Sequence, residues 1–169
     1  MKSRYNTKDL GIMALFVSIG IILQYVENLI LISPVPGGKL GLSNIVSIIN
    51  IFMFGGGNAM VISLIRAFLG TVISGGISAL PYSMTGAFFS TLFMCILKKY
   101  GFPKISMIGI SVVSACMHNF AQICVAAVIM SSHFIFSYIP VLLIVGVISG
   151  TVTGYAAQIF GNRVLRLGD

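Results

Sequence analysis

Six apolar stretches divide this chain, at about residues 10–30, 42–54, 59–73, 81–97, 105–130 and 134–160. Glycine and proline mark the breaks, at Gly55-Gly56-Gly57, at Ser74-Gly75-Gly76, and at Pro81, a residue tolerated at a helix start. A membrane-crossing helix needs about 20 apolar residues, or about 17 at the short limit. The pattern predicts an all-α integral membrane protein with six transmembrane helices in one domain over residues 1–169, the second and third helices being short. Polar residues inside these stretches fall on single faces. Ser63, Arg66, Gly70 and Ser74 recur at spacings of three and four, as do Ser111, Ala115, His118 and Gln122, with Asn119 alongside. Gln24 and Glu27 share a face near the end of the first stretch, and the second opens with Ser43-Asn44 and carries Asn50.

Composition sharpens this picture. The chain is 57% hydrophobic and 8% charged, whereas a soluble domain carries roughly a quarter charged residues. The first apolar run is followed by several more, so it reads as a retained span and not a cleaved leader. Net charge is +7, from 10 basic and 3 acidic residues. Lys2, Arg4 and Lys8 precede the first span, Lys98, Lys99 and Lys104 fill the loop after the fourth, and Arg163 and Arg166 follow the sixth. Six spans put all three clusters on one side, which the positive-inside rule makes the cytoplasm, with both termini there. Basic residues so placed fix topology, and nucleic acid is not an expected partner. Cys95, Cys116 and Cys124 lie inside apolar spans without a Cys-x-x-Cys spacing, so free thiols are expected and neither a metal site nor a disulfide is.

Arg66 is the most informative residue. It sits near the middle of an apolar stretch, and the nearest charges in sequence are Lys39 and Lys98. An ionised side chain at the bilayer centre costs about 2.5 kcal/mol or more, and such groups face bundle interiors or watery cavities. By depth, Glu27, Lys39 and Asn44 fall near the external surface, Arg66 and His118 near mid-membrane, and Gln122 slightly further out, which predicts a polar funnel opening outward. Expected ligand-binding residues are Gln24, Glu27, Lys39, Asn44, Arg66, His118, Asn119 and Gln122. Two alternatives stay open: Arg66 is neutralised by Glu27, and His118 is an interhelical hydrogen-bond partner. Asn50 reads as helix–helix glue. Gly146, Gly150 and Gly154 form a double small-xxx-small motif suited to packing, and Gly11, Ala14 and Ser18 form a small stripe facing a neighbouring helix or another subunit. The segment 33–44, with two prolines and three glycines, either caps a cavity or is a plain connector.

Catalysis is not expected. No paired carboxylates exist to hold magnesium and diphosphate, no Walker loop exists, and no Ser-His-Asp set is evident. No cofactor is implied. Arg66, Lys39 and His118 outnumber Glu27, which favours an anionic or phosphate-bearing solute.

Three segments, Pro36–Val46 (PGGKLGLSNIV), Leu64–Gly75 (LIRAFLGTVISG) and Met117–Gln122 (MHNFAQ), resemble the Gx transporter family, also labelled heptaprenyl diphosphate synthase component I. The layout is also similar to substrate-binding S components of energy-coupling-factor (ECF) transporters, in particular the riboflavin type. The resemblance implies an S-component-like bundle in the cytoplasmic membrane of a prokaryote, among membrane lipid. It also implies a vitamin-like or isoprenoid/quinone-precursor-like solute bound from outside, a membrane coupling subunit and two ATPase subunits. An Ala-x-x-x-Ala signature contacts that coupling subunit, and here its positions hold Ala14 and Ser18. The family's other label implies prenyl diphosphate synthesis. The aspartate-rich motifs of prenyl synthases are absent, so the label fits an accessory, non-catalytic subunit at most. A small secondary transporter working alone is a third possibility.

Overall fold

The computed structural model describes residues 7–30, 41–74 and 76–166, with the side chains of residues 28, 30 and 162–166 left undescribed. Six α-helices follow in order: α1 (Thr7–Ile30), α2 (Asn44–Phe54), α3 (Gly56–Ile73), α4 (Leu80–Tyr100), α5 (Met107–Ile129) and α6 (Ile139–Arg166). Short 3₁₀ turns at Ile77–Ala79 and His133–Tyr138 lead into α4 and α6. No strand occurs among the described residues. All helices except α2 are long and apolar enough to cross a membrane. The chain is a multi-pass, all-α membrane protein.

The short helix α2 is the centre of the bundle. Its 11 residues rise about 16 Å at 1.5 Å each, half the roughly 30 Å hydrocarbon core. It is apolar nearly all round, which suits a helix surrounded by protein. Ile48 and Ile51 pack with Met94, Ile110 and Ala157 into the main core cluster. A half-length helix leaves carbonyls at depth, and Lys98 supplies a cation there: its Nζ donates to Ile51 O and lies 4.8 Å from the centre of the Phe52 ring. Helix α4 runs on to Tyr100, three residues past the expected 97. Lys98 and Lys99 are therefore helical and not loop residues, and of that basic group only Lys104 lies in the connection.

The triple glycine also departs from expectation. Gly55, at φ +82°, makes the whole turn, and α3 begins at Gly56. A Cβ at Gly56 would come 2.8 Å from Cys95 Sγ, so that glycine lets α3 approach α4.

The α6 glycines pack against α5. Added Cβ atoms would lie 3.2 Å from Cys116 Cα at Gly146, 2.6 Å from Val112 Cα at Gly150 and 2.8 Å from Ile108 Cα at Gly154. The close approach lets Ser111 and Thr153 hydroxyls meet at 2.9 Å. Gly150→Ala must push α5 and α6 backbones apart and is expected to destabilise the fold by about 1–3 kcal/mol. Gly57→Ala, which meets nothing within 4 Å, leaves stability unchanged or slightly raised. Thermal unfolding of the two variants in detergent checks this pair.

Candidate functional site

The polar faces of α1, α3, α4 and α5 converge beside the start of α2. Gln24, Glu27, Gly41, Ser43, Arg66, Ser83 and His118, with Ala67 and Ala87, line one small chamber. Its free volume is about 10 Å³, room for about one water. Among the described residues, the polar faces expected to form a funnel meet in this small chamber.

Arg66 is 2% exposed. One guanidinium nitrogen donates to Gln24 Oε1 at 3.4 Å, a long bond. Its Nε has no hydrogen-bond partner among the described residues. Gln24 in turn donates to Thr71 Oγ1 at 3.3 Å, and Thr71 donates to Ala67 O at 2.7 Å. A guanidinium offers five donors. Its Nε donor is thus open to an acceptor that the described residues do not provide.

Glu27, 1% exposed, lies within electrostatic reach of Arg66. Its carboxylate also accepts two backbone bonds, from Gly41 N–H at 2.7 Å and Leu42 N–H at 3.1 Å. Gly41 stands at φ +72°, and its carbonyl accepts from Asn44 N–H at 2.8 Å. That turn aims two successive N–H groups at one carboxylate just ahead of α2.

Three glycines make room for three of these side chains. A Cβ at Gly20 on α1 would collide with the Arg66 methylenes. One at Gly70 on α3 would lie 2.8 Å from the Gln24 amide, and one at Gly86 on α4 would lie 2.8 Å from the His118 ring. Each polar group is thus seated in a slot on a neighbouring helix.

The other expected site residues are distributed differently. Asn119 does not line the chamber but faces α6, where Nδ2 donates to Leu142 O at 2.9 Å and ties α5 to α6. Gln122 and Asn44 are each 1% exposed, and their amides have no hydrogen-bond partner among the described residues; neither lines the chamber. Asn50 is fully buried with its amide likewise unbonded there, so no glue bond accompanies it. Lys39 lies outside the described residues. Ser43 and Ser83 line the chamber and are absent from the expected set. Ser83, Ala87 and Ser90 recur at spacings of four and three along α4, the same one-face signal in the sequence that marks Arg66 on α3. Below the chamber, Ser63 accepts hydroxyl bonds from Thr91 at 2.9 Å and Ser47 at 3.4 Å, joining α2, α3 and α4.

No group of three or more His, Cys, Asp or Glu that could hold a metal occurs among the described residues, and the three cysteines are free thiols. Residues 16–160 match the family described as heptaprenyl diphosphate synthase component I. The chain belongs to this family. That match spans α2 to α5 whole and most of α1 and α6, including every chamber residue. No curated protein matches, and no solved structure matches.

The Gly20 slot is testable by coupling. Gly20→Ala alone must displace Arg66, whereas in an Arg66→Ala background the added methyl has space. The two substitutions should be non-additive in detergent unfolding, with a coupling of about 0.5–3 kcal/mol. Strict additivity would show that the slot does not seat Arg66.

Proposed function

We propose that this protein is the substrate-binding membrane subunit of an energy-coupling-factor type importer for a small anionic solute. The single observation that carries the reading is Arg66: a cation buried among helices, sparsely bonded, beside a chamber lined by Gln24, Ser43, Ser83 and His118. Chamber residues come from four of the spanning helices and from the turn before α2, as suits a solute enclosed by a bundle. The solute's anionic group bonds Arg66, with His118 of α5 and Ser43 at the approach to α2 lining the same chamber. The protein itself is not an enzyme in this reading. In this reading both termini lie in the cytoplasm, which the basic clusters support through the positive-inside rule.

The coupling surface is assigned to Gly11, Ala14 and Ser18. These residues are exposed on α1, Ser18 Oγ donates to Ala14 O at 3.0 Å, and nothing lies within 4 Å of a Cβ built at Gly11. Small exposed residues at this spacing admit a close helix from another subunit.

A second reading is favoured by the family description and by a wholly apolar groove of about 500 Å³ between α4 and α5, walled by Phe89, Met117, Phe120 and Val125. There the protein is an accessory, non-catalytic subunit of a polyprenyl diphosphate synthase, with the prenyl chain in the groove.

Affinity purification from native membranes separates the two. The importer reading expects a membrane coupling subunit and ATPase subunits to accompany the protein, and Ala14→Trp to lose them while solute affinity stays unchanged. A prenyl synthase in their place would favour the second reading. Arg66→Gln removes one charge-assisted bond of about 1.5–3 kcal/mol and should weaken solute binding by about 10- to 150-fold in calorimetry. Unchanged affinity would make Arg66 structural.

A further inference from the structure

We propose that the Glu27 carboxylate is an internal placeholder in an oxyanion site formed by Gly41 N–H, Leu42 N–H and Arg66, and that a bound solute's carboxylate or phosphate takes its place. The inference rests on the reading of the chamber as an anionic-solute site and adds which side chain holds the site's donors before a solute does.

Three observations carry it. First, the two N–H groups at the Gly41 turn converge on the two carboxylate oxygens, one each, at 2.7 and 3.1 Å. Backbone donors so paired form a concavity for any two-oxygen anion, whether a carboxylate or one edge of a phosphate. The first turn of α2 follows directly, and its dipole favours negative charge. Second, Arg66 lines the same chamber, 2% exposed, with Nε lacking a partner among the described residues. The site therefore has donors from two directions and one resident anion. Third, the free volume of about 10 Å³ admits no carboxylate or phosphate while Glu27 is in place. An oxyanion reaches these donors only after the Glu27 side chain leaves.

Displacement has a thermodynamic signature. The apparent affinity for an external anion is the intrinsic affinity scaled by the fraction of molecules in which Glu27 has left the site, and removing that competitor restores it. Glu27→Gln keeps one acceptor oxygen for the backbone donors and loses the charge, so its hold is weaker. A single charge-assisted bond corresponds to about 10- to 150-fold in affinity, and the gain should fall in that range.

Binding of inorganic phosphate and, separately, of acetate is measured by calorimetry on the full chain in detergent. Wild type should bind weakly and Glu27→Gln about 10-fold or more tightly, and Arg66→Gln, alone or combined with Glu27→Gln, should abolish binding. A gain for phosphate alone identifies a phosphate site, and a gain for acetate as well identifies a general carboxylate site. Glu27→Asp serves where Glu27→Gln does not fold: it retains the charge, is too short to bridge both N–H groups, and should also gain. Hydrogen exchange separates displacement from simple relief of charge repulsion. In Glu27→Gln the Gly41 and Leu42 amides should exchange faster than in wild type, and the bound probe should restore their protection. Equal or weaker probe binding in Glu27→Gln, with Arg66→Gln still losing it, overturns the placeholder role and leaves the anionic-solute reading standing. Tighter binding without restored protection at Gly41 and Leu42 overturns it as well. Failure of both probes with every variant overturns the oxyanion site and the anionic-solute reading together.

Discussion

A guanidinium inside an apolar bundle has to be held, and much of this fold is arranged around holding one. Arg66 costs about 2.5 kcal/mol or more at bilayer depth. Its side chain lies in the Gly20 slot of α1, reaches Gln24, and shares a chamber with Glu27 and His118. Gln24 is itself seated over Gly70, one turn from Arg66 on the same face of α3. The α1–α3 contact is thus a reciprocal exchange, glycine on each helix accepting a polar side chain of the other. Larger residues at either glycine would separate the helices and expose both polar groups to lipid.

The central position of α2 follows from the same constraint. A full-length helix there would fill the space that the chamber takes above it. By stopping at half length, α2 leaves a turn whose Gly41 and Leu42 N–H groups face Glu27 at one end, and the Ile51 carbonyl that Lys98 reaches at the other. Between these ends Ser47 reaches Ser63, which also accepts from Thr91. Polar groups so threaded through the core hold α2, α3 and α4 in register without any water from the bilayer.

Much of this was legible in residue order. Long apolar runs broken by glycine and proline reported six helices, because burying backbone in lipid leaves few other solutions. Periodicity brought Arg66, His118, Gln24 and Glu27 toward the interior, since a polar residue in such a run has to face inward. What periodicity could not supply was which interior surface each residue meets. Asn119 is adjacent to His118 in sequence, yet a 100° step carries it to α6 and the Leu142 carbonyl. Lys98 reads as a loop residue because its charge suggests an interface, whereas its long stem runs past Phe52 to the carbonyl of buried Ile51. The roles of Gly20, Gly70 and Gly86 are invisible before the partner helix is known, because a glycine slot is defined by what enters it.

The central claim is that the Arg66 chamber holds an anionic solute. Mass spectrometry of small molecules released on denaturing protein purified from its native membrane tests this directly. The account predicts one anionic compound in near-stoichiometric amount from wild type and its loss from Arg66→Gln protein that remains monodisperse. A neutral or cationic compound, or equal recovery from both proteins, would contradict it.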